Sequence, residues 1–120
     1  MAVTLIHTPS VPRTRQNGRG EVAEILNKEL CGAENVVGQL RWLHPGDRFQ
    51  ADALEATHQL LYLMEGEGVI TLDGKDYEVV KGAGIYLGPT ETAGIRQRGT
   101  SPLKLFHLIV PIKKELQLDS

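Results

Sequence analysis

Hydrophobic and polar residues alternate in short runs along most of this 120-residue chain. Because side chains alternate between the two faces of a β-strand, such runs predict strands that bury one face. Turn residues separate the runs at four places: His44-Pro45-Gly46, Asp73-Gly74, Gly88-Pro89 and Ser101-Pro102. The Asp73-Gly74 pair suits a tight hairpin within residues 67 to 80, since both central residues of such a turn need positive φ. The pattern predicts an all-β sandwich or barrel.

The segment from Glu21 to Leu30 is the one place where the pattern also fits a helix. Its apolar residues recur at near-helical intervals, but a strand that ends before a turn at Cys31-Gly32 fits equally well, and we favour the strand. Residues 1–20 are rich in Pro, Arg, Gly and Asn and predict an N-terminal arm. We therefore expect one barrel domain over residues 21–111 and an exposed tail over 112–120.

Composition and charge narrow the class of protein. The formal net charge of −2 gives no electrostatic basis for binding nucleic acid, and no segment is long and apolar enough to predict a membrane span. Cys31 is the only cysteine, which excludes an intrachain disulfide and fits a cytoplasmic protein. Three arginines near the start form either a solvated arm or a clamp for an anionic group: Arg13, Arg15 and Arg19.

Two blocks of residues with regular spacing frame the middle of the chain. In the first, Gly46 is followed by Asp52 after five residues, Leu54 after one more, Gln59 after four and Gly66 after six. The second block contains Gly82, Gly88, Thr90, Ala93 and Gln97, and it begins after a gap of fifteen residues. These spacings resemble the two motifs of the cupin superfamily, and the resemblance covers residues 35 to 111.

The resemblance implies an all-β double-stranded β-helix, the cupin jelly-roll barrel. Metal-binding members use two His and a Glu or Gln from the first motif and one His from the second. The corresponding positions here hold Asp52, Leu54, Gln59 and Ala93, of which only Gln59 matches. We therefore expect no metal and no other cofactor.

Strand parity identifies residues that face the barrel interior. If Lys104 faces water, then four residues of the last strand face inward: Leu103, Leu105, His107 and Ile109. A buried imidazole needs a hydrogen-bond partner, so His107 is either a core histidine satisfied by a neighbour or a general acid or base. Gln59 also faces inward, where its amide either orients a substrate carbonyl or bonds only to protein.

Other residues are candidates at the barrel mouth or at an interface. His58 shares an apolar outward face with Leu60, Tyr62 and Met64, which suggests a homodimer interface or, less directly, a site residue. His44 ends a strand in which Trp42 is predicted to lie in the core or to contact substrate. The loop acids Asp52 and Glu55 are either solvated or paired with His107 or His44, as in metal-independent sugar epimerases of the superfamily. Tyr86 and Glu91 are two further candidates at the barrel mouth.

These observations favour an enzyme of lyase or isomerase type over a non-catalytic protein. In this hypothesis a small metabolite binds inside the barrel without a metal, and acid/base groups move its protons. The expected catalytic residues are His107, Gln59, His44 and Asp52, and the expected substrate contacts are Trp42, Tyr86, Glu55 and His58. One alternative is a binding or sensing cupin without turnover. A second is a metalloprotein with displaced ligands such as His44, His58 and His107.

Overall fold

The structure is a computed structural model that describes residues 4–110. These residues form ten strands, which confirms the all-β prediction. In chain order the elements are a 3-10 turn (Thr8–Ser10), β1 (Thr14–Gln16), β2 (Gly20–Leu26), α1 (Lys28–Cys31), β3 (Val37–Leu43), β4 (Arg48–Ala51), β5 (His58–Glu65), β6 (Glu67–Leu72), β7 (Lys75–Val80), β8 (Gly84–Leu87), β9 (Ala93–Arg98) and β10 (Leu103–Val110).

The strands form two antiparallel sheets that pack face to face. The larger sheet has the order β1-β2-β3-β10-β5-β8, and the smaller has the order β4-β9-β6-β7. Most neighbours are not consecutive in sequence, so the chain crosses repeatedly between the sheets, as in a jelly roll. Neither α1 nor the turn at Thr8–Ser10 approaches the length of a bilayer crossing, and residues 4–110 contain no membrane-spanning helix.

The predicted hairpin is present as β6 and β7. Leu72 pairs with Lys75 across a two-residue turn, in which Asp73 has φ of 54° and Gly74 has φ of 80°. Both values lie in the left-handed region that this turn requires. The Asp-Gly dipeptide therefore sets the register of the hairpin.

The segment from Glu21 to Leu30 divides between the two structures considered for it. Its first part belongs to β2, as favoured, and its end forms the single helical turn of α1. The Asn27 side chain caps that turn by accepting a hydrogen bond from the Leu30 backbone N–H at 2.8 Å.

The predicted N-terminal arm includes an edge strand of the larger sheet. Thr14 pairs with Val22 in the antiparallel register of β1 and β2. Arg15 donates two hydrogen bonds, of 3.3 and 3.4 Å, to the carboxylate of the buried residue Asp47. Residues 1–3 and the predicted tail at 112–120 lie outside the described residues.

The core fills the space between the inner faces of the two sheets. Apolar side chains from both sheets contribute to it: Leu43, Leu61, Leu63, Leu103 and Leu105 from the larger sheet, and Phe49, Ala51, Ile70, Ala93 and Ile95 from the smaller. The inner face of the larger sheet also carries three buried polar residues, which are Arg41, Gln59 and His107.

Candidate functional site

His107 lies on the inner face of β10, as the parity of the strand predicts. Its exposed fraction is 4%, and Leu103 and Leu105 on the same face are also buried. In the sheet His107 is opposite Gln39 of β3 on one side and Leu61 of β5 on the other. The imidazole is therefore held in the centre of the larger sheet, away from water.

Gln59 is the hydrogen-bond partner of His107. The His107 Nε2 and the Gln59 Oε1 are 2.7 Å apart, and the Gln59 Nε2 donates to the backbone carbonyl of Asp52 at 2.8 Å. Because the Gln59 amide nitrogen donates to the Asp52 carbonyl, the Gln59 amide oxygen faces the imidazole, and this oxygen can only accept a hydrogen bond. His107 consequently donates from Nε2, and in its neutral form Nδ1 carries the free lone pair.

The Nδ1 atom of His107 is buried and has no hydrogen-bond partner among the described residues. Burial, followed by the positive charge of Arg41, lowers the pKa of His107 to about 4. The imidazole is therefore neutral at pH 7. It presents an unused acceptor to the interior of the barrel.

Arg41 is a buried cation that the sequence analysis did not select. Its exposed fraction is 4%, and its Nη1 donates to the Gln16 Oε1 at 2.8 Å and to the Arg19 carbonyl at 2.9 Å. Its Nε is buried without a partner, and no carboxylate in residues 4–110 forms an ion pair with it. Burial, followed by the charge of Arg19, lowers the pKa of Arg41 to about 10.

The ring of Phe49 connects the two unpartnered groups. The Arg41 guanidinium carbon lies 3.8 Å from the centre of this ring, and the His107 imidazole packs edge-on against it at 5.5 Å between centroids. An acceptor on His107 and a donor on Arg41 thus lie against the same side chain. His107 and Gln59 line none of five open cavities in residues 4–110, but Phe49 lines one of about 520 Å³ on the smaller sheet.

Trp42 lies on the outer face of β3, which corrects its prediction as a core residue. It is half-buried, and the guanidinium of Arg13 stacks over its ring at 3.6 Å. The inner face of β3 carries Arg41 and Leu43 instead. The guanidinium of Arg13, and not the core, therefore shields the indole from water.

His44 and Asp52 are not brought to His107. The His44 Nε2 lies 3.3 Å from the Glu21 Oε1, and hydrogen bonds from His44 first and Arg13 second lower the pKa of Glu21. The Asp52 carboxylate accepts from the Gln50 amide at 3.0 Å and pairs with no histidine of residues 4–110. Asp52 contributes to the site through its backbone carbonyl alone.

The remaining predicted contacts lie on the outer surface. His58 and Tyr86 occupy the outward face of β5 and β8, where the His58 Nδ1 and the Tyr86 hydroxyl are 2.6 Å apart and the rings stack. The outward parity of His58 is therefore correct, whereas Tyr86 does not line the interior. Glu55 is exposed, and the carboxylate of Glu91 accepts from the Gly88 N–H at 2.7 Å.

The residues at the usual metal-ligand positions do not fit a metal. Both ends of the Gln59 amide are engaged, and Leu54 and Ala93 have no donor atom. Displaced histidines do not replace them, because His44 and His58 lie at opposite ends of β10. His44 follows Leu43, which pairs with Leu103, whereas His58 pairs with Val110. That separation is roughly 25 Å. No cluster of three or more His, Cys, Asp or Glu suited to a metal occurs in residues 4–110.

Comparisons with known sequences identify one family model and two related proteins. The model of the cupin domain matches residues 40–110. The chain is 27% identical to the oxalate-binding protein of Thermotoga maritima over 105 residues, which cover 86% of this chain and 87% of that protein. A stretch of 49 residues is 39% identical to an uncharacterised protein of Methanocaldococcus jannaschii, and this match spans 41% of this chain and only 39% of that relative.

Solved structures show the same fold at low sequence identity. A predicted oxalate decarboxylase from Thermotoga maritima superposes with a TM-score of 0.79 at 22% identity, covering 91% of this chain and all of that one. The polyketide cyclase RemF from Streptomyces resistomycificus superposes with a TM-score of 0.73 at 18% identity, covering 92% and 80%. With its family model spanning more than half of its length and a jelly roll of the same architecture, the chain belongs to the cupin family.

Proposed function

We propose that this cupin binds a small carboxylate-bearing metabolite inside the barrel and catalyses metal-independent proton transfer on it. The reaction would be of isomerase, dehydratase, cyclase or lyase type, in which a C–H or O–H proton moves to or from His107. Gln59 holds the imidazole in one tautomer. Arg41 replaces His44 and Asp52 as the expected partner of His107 in this proposal.

The pair of unpartnered groups on His107 and Arg41 is the observation that supports this function. Leaving a buried polar atom without a hydrogen bond costs roughly 1 to 3 kcal/mol, so such atoms indicate a missing partner. A metabolite with an acidic proton beside a carboxylate supplies a donor for the His107 Nδ1 and an acceptor for the Arg41 Nε. Phe49 is the side chain that such a ligand must displace, because it contacts both groups.

A negatively charged ligand raises the pKa of His107 towards the value that a general base needs. A general base works best when its pKa lies near the operating pH, whereas the pKa of His107 is about 4 without a ligand. A carboxylate bound at Arg41 offsets the positive charge beside His107 and adds a negative one, so it raises the pKa of the imidazole. The base therefore becomes stronger once its substrate is bound.

Proton exchange measured by NMR tests this proposal. Pyruvate in D₂O serves as the first probe because its methyl protons lie next to a carbonyl, and oxalate serves as a binding probe without C–H protons. We expect deuterium to enter pyruvate faster with the protein than with buffer. The His107→Asn variant should lose this exchange, and the exposed His58→Asn variant should keep it.

The same measurements separate a catalytic from a structural His107. Lost exchange with an unchanged melting temperature supports the acid/base role. Normal exchange with a lowered melting temperature assigns His107 to the core and contradicts the proposal. Loss of about a hundred-fold or more in rate is the effect expected for a positioned acid/base group.

A second candidate is a binding or sensing cupin without turnover. It is favoured by the low pKa of His107, which makes a weak base, and by the similarity to an oxalate-binding protein. In this case oxalate or pyruvate should raise the melting temperature in a saturable manner while proton exchange stays at the rate in buffer. That result selects binding over catalysis, and the absence of any saturable effect contradicts both candidates.

We also propose that the protein is a homodimer in the cytoplasm, with the outer face of the larger sheet as its interface. Large apolar side chains on this face are partly exposed, with exposed fractions of 37% for Leu60, 43% for Tyr62 and 37% for Met64. Isologous pairing of two such faces would remove them from water. The single cysteine, Cys31, is free and is consistent with a reducing compartment.

Light scattering at micromolar concentration tests the dimer. The wild-type protein should have twice the mass of the chain, and Tyr62→Lys should yield monomers because it places a charge at the centre of the apolar face. Tyr77→Lys is the matched control, since Tyr77 is 48% exposed on the smaller sheet. A monomeric wild-type protein, or equal masses for both variants, contradicts this interface.

A further inference from the structure

The cavity that Phe49 lines opens on the smaller sheet, beside the edge strand β4. Its volume is about 520 Å³, within the range of small-molecule sites. Charged and polar side chains dominate its rim, including three arginines but only one acidic residue. These residues are Arg19, Arg48, Arg96, Asp73, Gln50 and Thr92.

Two of the arginines are placed opposite each other by the register of the sheet. Arg48 of β4 pairs with Arg96 of β9, so two positive charges face each other on the outer surface. Like charges in this position destabilise a sheet unless an anion lies between them. Of these two arginines only Arg96 pairs with Asp76, with 3.4 Å between the Arg96 Nη2 and the Asp76 Oδ2.

The third arginine, Arg19, lies in the turn between β1 and β2, and backbone hydrogen bonds hold this turn in place. The Arg48 N–H donates to the Gly18 carbonyl at 3.0 Å, and Arg41 donates to the Arg19 carbonyl at 2.9 Å. These bonds fix the turn between β1 and β2 against the edge of β4. Within residues 4–110, the guanidinium groups of Arg19 and Arg48 have no hydrogen bond or ion pair of their own.

A glycine keeps the cavity open beside these charges. Gly94 lies between Gln50 and Thr71 in adjacent strands, and a Cβ added there would meet only the Thr71 Cβ, at 4.0 Å. The backbone of Gly94 is not in the left-handed region, so its conformation does not require glycine. The absence of a side chain therefore leaves space rather than relieving strain.

We propose that this cavity binds the phosphate group of a small metabolite. Two unpaired guanidinium groups and the Thr92 hydroxyl provide more donors than the two oxygens of a carboxylate can use, whereas a phosphate has the oxygens and the charge to accept them. The site does not depend on the chemistry proposed for His107. Its arginines lie on the outer surface of the smaller sheet and at the β1–β2 turn, whereas His107 is on the inner face of the larger sheet.

Calorimetric titration with inorganic pyrophosphate at low ionic strength tests the site. Arg19→Gln and Arg48→Gln should each weaken binding roughly tenfold or more, because each removes a charged hydrogen-bond donor. Gly94→Val should also weaken binding by filling the cavity while preserving the strand. Arg98→Gln is the matched control on the same strand as Arg96, since Arg98 pairs with Glu67 at 3.1 Å and does not line the cavity.

The unliganded variants provide a readout that a structural role would not produce. Arg48→Gln should leave the melting temperature unchanged or raise it, because it removes the repulsion across β4 and β9. His107→Asn should bind pyrophosphate as the wild type does, which separates this site from the interior one. Lack of saturable binding, or equal loss in the Arg98→Gln control, overturns the proposal. Succinate bound as tightly as pyrophosphate overturns the assignment to phosphate.

Discussion

Two histidines on the larger sheet make hydrogen bonds of nearly equal length in opposite surroundings. His107 meets Gln59 at 2.7 Å inside the barrel, and His58 meets Tyr86 at 2.6 Å on the outer surface. His58 and Gln59 are consecutive residues of β5, so the change of face occurs within one step along the chain. The two bonds have similar lengths, but only the pair of His58 and Tyr86 is exposed to water.

Burial, rather than bond length, separates the chemistry of these two pairs. The polar atoms of His58 and Tyr86 can exchange their bond for one to water at little net cost. Those of His107 and Gln59 have no such alternative, and burial lowers the pKa of His107 to about 4. The lowered pKa of His107 is therefore a consequence of its position on the inner face.

The largest effect is expected when the inner pair is broken at Gln59. Gln59→Leu leaves the His107 Nε2 and the Asp52 carbonyl without partners, so the free energy of unfolding should fall by roughly 2 to 4 kcal/mol. Urea denaturation measures this change. Gln50→Leu makes the same replacement at an exposed residue and should cost at most about 0.5 kcal/mol. Equal costs for the two variants would remove the contrast between buried and exposed partners.

The pH dependence of stability should come from the inner histidine. Its pKa is about 4 in the folded protein, below the ordinary value of 6.5, so the unfolded chain binds a proton more readily. This contribution to stability is complete above pH 6.5 and is lost as the pH falls towards 4. Between pH 7 and pH 5 the free energy of unfolding should decrease by roughly 2 kcal/mol because of His107.

Urea denaturation at pH 5, 6 and 7 isolates that contribution by difference. His107→Gln should remove this part of the pH dependence, since glutamine does not titrate, whereas the carboxylates act equally in both proteins. His58→Gln should retain the dependence of the wild type. The same slope in the wild type and in His107→Gln would show that the imidazole titrates normally.

The smallest effect is expected at the outer pair. Tyr86→Phe removes the hydroxyl but keeps the stacked ring, and the free energy of unfolding should change by at most about 0.5 kcal/mol. A thermal melt detects such a change as a shift of a few degrees or less. A cost above about 2 kcal/mol would contradict the exposure of the outer pair and would mean that the proposed dimer interface extends from Leu60, Tyr62 and Met64 over His58 and Tyr86.

The sequence predicted the fold and the inward positions of His107 and Gln59 for a common reason. Strand parity is an exact period of two, so one outward lysine at 104 placed His107 inside, and the Asp73-Gly74 turn set a hairpin register. The same rule did not say which face of β3 is buried. The prediction of Trp42 as a core residue favoured its face of β3, whereas the structure buries Arg41 on the opposite face.

The error at β3 arose from contacts between residues that are distant in sequence. Arg13 covers Trp42 on the outer face, whereas Gln16 and the Arg19 carbonyl receive the buried Arg41. All three partners lie in the predicted arm, whose pairing with the sheet was not foreseen. Contacts with residues 1–20, which the sequence pattern placed outside the barrel, therefore determine which face of β3 is buried.

The link between Gln59 and the backbone carbonyl of Asp52 has a consequence for the comparison of related sequences. Every amino acid carries that carbonyl, so the side chain at position 52 can change without loss of the bond that orients Gln59. A search that scores the identity of residue 52 as a ligand is blind to this role. In a set of relatives, variation at position 52 together with a retained amide at 59 and imidazole at 107 would mark proteins with the same inner pair.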